Sequence, residues 1–122
     1  MFNPFKKTYG KKDLEQFDFL KTIQCFEKLT NDELDLIVPF LYHRQYRKDE
    51  AVFFRNDPSQ AIYLVKEGLV SLNLNRGDEF ESLATAKSGE AFGDNAFIKN
   101  STRIYNAIVE SDEADLIVIP QG

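Results

Sequence analysis

Tryptophan is absent from this chain of 122 residues, and cysteine, histidine and methionine occur once each. A single thiol, Cys25, cannot close an intramolecular disulfide, and a single imidazole, His43, leaves no Cys/His set for a zinc site. The same shortage excludes the converging histidines of a jelly-roll metalloenzyme. A hydrolase triad fails too, because there is no Gly-x-Ser-x-Gly elbow and His43 sits among Arg44 and Arg47 on what reads as a polar strand face. An enzyme is therefore not expected. Long apolar runs are also missing: none approaches the roughly 18–20 residues of a membrane helix, and the opening Met-Phe-Asn-Pro-Phe-Lys-Lys has no signal-peptide stretch. A cytoplasmic location without a transmembrane segment is expected. Proline and glycine are scarce, at four and six residues, and no linker, internal repeat or low-complexity tract interrupts what reads as one domain.

Phenylalanine is plentiful, with eleven residues in a chain that is 43% apolar and 29% charged. A chain of this length buries about 65–70% of the surface its unfolded form exposes, enough for one core without metal or disulfide. Aromatic side chains are expected to dominate that burial. The formal charge of −5 is unevenly spread. Residues 1–12 hold Lys6, Lys7, Lys11 and Lys12 and no acid, leaving 11 basic against 20 acidic residues, or −9, in the remainder. Residues 1–12 thus read as a basic N-terminal tail and residues 13–122 as the domain. An acidic body repels the phosphates of nucleic acid, so direct DNA binding is not expected.

From Asp13 to Leu41 apolar residues recur at helical spacing, and after Tyr42 they fall into short alternating runs. Phe17, Leu20 and Ile23 predict a short helix. Thr30-Asn31-Asp32-Glu33 reads as a capping box opening a second helix, whose apolar face is Leu34, Ile37, Val38 and Leu41, with Pro39 kinking or ending it. This helical lead-in covers 13–41. Strands are expected at 42–47, 51–55, 61–66, 69–75, 80–86, 104–109 and 114–119. Val70, Leu72 and Leu74 alternate with Ser71, Asn73 and Asn75, the pattern of a strand with one face buried and one wet. Turns at Asn56-Asp57-Pro58-Ser59, Glu67-Gly68 and Asn75-Arg76-Gly77-Asp78 connect these runs, which predicts a small antiparallel barrel or two-sheet jelly roll over 42–120.

One segment breaks the strand pattern. In Gly89-Glu90-Ala91-Phe92-Gly93-Asp94-Asn95-Ala96-Phe97-Ile98 a short helical turn is expected. Gly93 lets the backbone approach a ligand, and the amides of Asp94, Asn95 and Ala96 at a helix start suit an anion. Arg103, nine residues after Asp94, can return to close a charge-assisted clamp on it. A phosphate fits that description, and a plain surface turn with a solvated arginine is the competing reading.

These residues resemble the cyclic nucleotide-binding domain, the module shared by the catabolite activator protein, protein kinase A regulatory subunits and cyclic-nucleotide-gated channels. The likeness runs in order from leading helices through Tyr46-Arg47-Lys48-Asp49-Glu50-Ala51-Val52-Phe53 and Ala61-Ile62-Tyr63-Leu64-Val65-Lys66-Glu67-Gly68-Leu69-Val70 to Gly89-Glu90-Ala91-Phe92-Gly93-Asp94. It implies a mainly β fold with N-terminal helices, an antiparallel eight-stranded β-roll carrying a short phosphate-binding-cassette helix between Phe92 and about Ala107. By the same resemblance Arg103 pairs with the exocyclic oxygens of the cyclic phosphate, amides near Gly93 and Ala96 hydrogen-bond it, and Asp94 stands where a glutamate usually accepts from the ribose 2′-hydroxyl.

The chain departs from the family at four positions. Asp94 is one methylene shorter than glutamate, so it needs a shifted backbone or a bridging water to reach the ribose. Asn95 stands where an apolar residue packs, Thr102 replaces proline, and Ile104 replaces a small or hydroxylated residue. Ile104 offers no hydroxyl to a guanine amino group, so cyclic AMP is expected before cyclic GMP. The expected site is Gly93, Asp94, Asn95, Ala96, Arg103 and Ile104, in a ligand-sensing regulatory module with no metal and no cofactor besides its ligand. The alternative is a degenerate fold serving as an interaction or assembly module. The family usually continues past an Ile-Pro like Ile119-Pro120 into helices that cap the base. Lid helices are expected to be absent here, with a homodimer or a partner protein supplying the cover.

Overall fold

The computed structural model describes residues 8–23, 26–76, 79–93 and 100–120. Contacts divide the chain into two compact units, residues 1–39 and 40–122. Cys25, Gly77 and Asp78 lie outside the described residues.

In the first unit, α1 (Lys11–Lys21) buries Phe17 and Leu20, one turn apart, and Ile23 is buried just beyond its end. The second helix, α2 (Asn31–Ile37), opens on the expected capping box. The Thr30 hydroxyl accepts from the Glu33 amide at 3.2 Å, and the Glu33 carboxylate accepts from the Thr30 amide at 3.1 Å. Both bonds satisfy amides that a helix start otherwise leaves without partners. Pro39 cannot donate to the ladder, and the chain tightens into a 3-10 turn over Val38–Phe40. The entry to α1 is tied to α2 by Tyr9, whose ring meets Phe17 edge-on at 5.0 Å and whose hydroxyl donates to Asp32. That hydrogen bond is the main reason the Tyr9 pKa is pushed up to about 12.

The second unit is a β-roll. Its strands are β1 (Tyr42–Arg47), β2 (Ala51–Phe53), β3 (Ala61–Glu67), β4 (Val70–Arg76), β5 (Glu79–Ala86), β6 (Ala91–Phe92), β7 (Asn106–Val109) and β8 (Glu113–Pro120). They form two antiparallel four-stranded sheets, ordered β1-β8-β3-β6 and β2-β7-β4-β5. Only β6 falls outside the expected set, because two residues are too few to show alternation. The sheets bury their facing sides in one core. Tyr46, Val65, Phe92, Ala114 and Leu116 come from the first, and Phe53, Val70, Ala86, Ala107 and Val109 from the second. Each large apolar side chain removed from water in this way contributes about 1.5–3 kcal/mol.

One expected wet position is dry. Asn73 is only 3% exposed. Its amide donates to the Ser71 hydroxyl at 3.2 Å and accepts from Asn106 at 3.3 Å, which offsets the cost of burying it. The β4–β5 register shifts between Leu72 and Asn73 at this point. Among the described residues no helix is long and apolar enough to cross a membrane.

The β3–β4 reversal depends on Gly68, whose φ is 103°. A Cβ there would lie 2.6 Å from the Glu113 carbonyl oxygen and 2.8 Å from the Ala114 Cα, both main-chain atoms of β8 that cannot swing aside. Gly68→Ala should lower unfolding free energy by about 2–4 kcal/mol, read as a lower urea midpoint at unchanged slope. A second expectation concerns pH. A tyrosine pKa raised on folding contributes stability that is whole below pH 10 and lost as pH rises through about 12. Wild type should therefore lose more stability across pH 10–12 than Tyr9→Phe, as measured by parallel denaturant titrations.

Candidate anion-binding site

Two segments distant in sequence meet at Gly93 and Arg103. Gly93 follows β6, is buried, and holds φ at 75°, a left-handed backbone that glycine adopts without penalty. Arg103 lies ahead of β7 in an extended stretch bound to the turn after β2. Its amide donates to the Asp57 carbonyl at 2.8 Å, its carbonyl accepts from the Asn56 amide at 2.8 Å, and Thr102 bridges Pro58. The turn expected at Asn56–Ser59 is therefore the clamp that holds the arginine backbone. Asp57 also caps that turn by accepting from the Phe54 amide at 2.9 Å.

The Arg103 side chain runs inward and is 3% exposed. Nη1 donates to the Gly93 carbonyl at 3.0 Å and Nη2 to the Ala61 carbonyl, at the start of β3, at 2.6 Å. The guanidinium carbon lies 4.1 Å from the Phe53 ring centroid and 5.8 Å from that of Tyr63. Phe53 and Tyr63 belong to an aromatic cluster with Phe92 and Tyr105: Tyr63 and Phe92 stack at 5.4 Å, and Phe53 is 5.9 Å from Phe92 and 5.6 Å from Tyr105. Ring faces and carbonyl oxygens together replace part of the water that a cation loses on burial. Desolvation still lowers the Arg103 pKa, with nearby Tyr63, Tyr105 and Asp57 pulling the other way, and the group stays cationic at neutral pH. Burial likewise raises the Tyr63 hydroxyl above the ordinary tyrosine value.

Of the expected site residues, Gly93 and Arg103 come together. Ile104 is 67% exposed, and Asp94, Asn95 and Ala96, with the expected cassette helix, lie outside the described residues. Two participants carried no mark in the sequence pattern. Ala61 contributes only its carbonyl, which no side-chain motif reports. Tyr105 donates no motif either, yet its hydroxyl accepts from the Gly93 amide at 2.9 Å; the available signal was an aromatic hydroxyl two positions past the arginine. Among the described residues no three His, Cys, Asp or Glu side chains converge as metal ligands.

A sequence model of the cyclic nucleotide-binding domain matches residues 43–122. The chain belongs to that family. It is 30% identical over 94 residues to the cyclic AMP receptor protein of Thermus thermophilus, covering 76% of this chain and 44% of that protein. It is 24% identical over 119 residues to mouse cGMP-dependent protein kinase 2, covering 96% of this chain and 16% of the kinase. The chain thus spans less than half the length of either relative. Among solved structures, the regulatory domain of Toxoplasma gondii PKA with cAMP superposes with a TM-score of 0.80 at 17% identity, over 93% of this chain and 43% of that one. The Thermus thermophilus catabolite activator protein gives 0.71 at 29% identity, over 79% and 45%. These likenesses place the roll, its sheets and its strand order within the cyclic nucleotide-binding fold.

Within this family member the Gly93 position has no room for a side chain. A Cβ would stand 2.7 Å from Arg103 Nη1 and 3.4 Å from the Ala61 carbonyl oxygen. Gly93→Ala should cost about 1–3 kcal/mol through backbone strain and displacement of the guanidinium, measured as a fall in the urea midpoint. An unchanged midpoint would show that Arg103 yields freely.

Proposed function

We propose that this domain is a non-catalytic, ligand-sensing regulatory module that binds a cyclic mononucleotide, cyclic AMP in preference to cyclic GMP, at the Gly93–Arg103 site. The observation that carries this reading is the delivery of one buried guanidinium to the backbone of Gly93, inside a chain of the cyclic nucleotide-binding family. A cation held dry favours a small anion over water, because charge-assisted hydrogen bonds strengthen as the dielectric falls. Arg103 turns from its two carbonyls to the exocyclic phosphate oxygens, amides near Gly93 and Ala96 complete the cradle, and Asp94 accepts from the ribose 2′-hydroxyl. Ile104, exposed and without a hydroxyl, supports adenine over guanine because it gives the guanine amino group nothing to pair with. Signalling follows from population shift: a ligand preferring one arrangement of the cassette changes what its neighbours contact. The proposed layout is a basic tail over 1–12 and the binding domain over 13–122, acting in the cytoplasm, with a second copy or a partner protein covering the bound base.

Isothermal titration calorimetry with cyclic AMP and cyclic GMP tests this directly. Saturable heat is expected with cyclic AMP, with weaker binding of cyclic GMP. Arg103→Lys keeps a charge but not the two-pronged geometry, and should weaken binding at least tenfold, as loss of a charge-assisted pair worth about 1.5–3 kcal/mol implies. Circular dichroism confirms that the variant is folded. Silence with both nucleotides up to about 1 mM, where binding is worth only about 4 kcal/mol, would move the domain to the interaction-module reading.

A further inference from the structure

The Gly93 amide already has a hydrogen-bond acceptor. Tyr105 sits two residues after Arg103, packs its ring on Phe53 at 5.6 Å and places its hydroxyl oxygen 2.9 Å from the Gly93 nitrogen. Gly93 is buried, so the hydroxyl occupies a position that water would otherwise need to fill. An oxygen of a bound phosphate would need the same position, and one N–H cannot make two well-aligned bonds of full strength. We propose that Tyr105 sets the affinity of this site, its hydroxyl standing in for a ligand oxygen at the Gly93 N–H until a cyclic phosphate displaces it. The inference rests on the reading of the domain as a cyclic nucleotide binder and names the residue that regulates entry to that site.

The local geometry gives Tyr105 two opposed effects. With its N–H bonded to Tyr105 and its carbonyl bonded to Arg103 at 3.0 Å, the Gly93 peptide is held at φ 75° before any ligand arrives. That preorganisation reduces the ordering cost of binding. Against it, the ligand must break the Tyr105 bond, and a neutral hydrogen bond of this kind has a net value that corresponds to a loss of about two- to tenfold in affinity. The sequence Arg103-Ile104-Tyr105 places the stand-in on the same short segment as the guanidinium. The two groups hold Gly93 from opposite sides, the guanidinium at its carbonyl and the hydroxyl at its amide, so a phosphate bound there takes a partner from each.

Tyr105→Phe keeps the ring on Phe53 and removes the hydroxyl that accepts from Gly93. The expected result is binding of cyclic AMP about two- to tenfold tighter than wild type by calorimetry, with faster hydrogen exchange at the Gly93 amide in the unliganded variant. In wild type labelled at the tyrosine ζ-carbon, the Tyr105 resonance should shift on saturation with cyclic AMP, because its hydroxyl changes partner. Equal or weaker binding by the variant, or a Tyr105 resonance that does not move while wild type binds, overturns the role of Tyr105 and leaves the proposed function standing. Silence of both proteins toward cyclic AMP overturns both. Silence of wild type with measurable binding by Tyr105→Phe supports the proposal in its strongest form.

Discussion

The candidate site depends on a cation kept out of water. Removing a guanidinium from solvent is costly, and the roll compensates with two carbonyl oxygens and the ring faces of Phe53 and Tyr63. Each of those groups comes from a different part of the chain: Phe53 ends β2, Ala61 and Tyr63 belong to β3, and Gly93 follows β6. Arg103 therefore acts as a cross-link between the two sheets as well as a charge. Its main chain is anchored separately, to Asp57 and Asn56 in the turn after β2. Side chain and backbone are held by independent sets of bonds, so the guanidinium can change partner while the segment stays attached.

Gly93 is the other half of that arrangement. A left-handed backbone at this point turns its carbonyl toward Arg103 and its amide toward Tyr105. Any side chain would meet the guanidinium first. The tightness of the site is thus a consequence of backbone geometry more than of side-chain chemistry. In a body with an excess of acidic residues, this one desolvated cation acts locally, where low dielectric amplifies its field, while surface carboxylates are screened by solvent and salt.

The elements themselves were legible in the residues. The Thr30–Glu33 capping box, the β4 strand read from Val70, Leu72 and Leu74, and the turn at Gly68 are local signals whose physics is complete within a few residues, and the structure carries the box, the strand and the turn. The two-residue β6 was not legible, because a strand that short shows no period. The burial of Asn73 was not legible either, because its partner Asn106 lies on another strand and only the sheet pairing brings them to 3.3 Å.

The candidate site divides along the same line. Motif spacing together with the family resemblance pointed to Gly93 and Arg103 as partners, since a permissive backbone and a fixed positive charge are written in residue type and order, and the structure brings the two into contact. Only the tertiary structure decided where that charge goes, because the Ala61 carbonyl and the faces of Phe53 and Tyr63 reach Arg103 through strand pairing across tens of residues. The same pairing brings the Tyr105 hydroxyl onto the Gly93 amide. Residue identity sets which groups can bond, and the packing of the two sheets sets which of them come within reach.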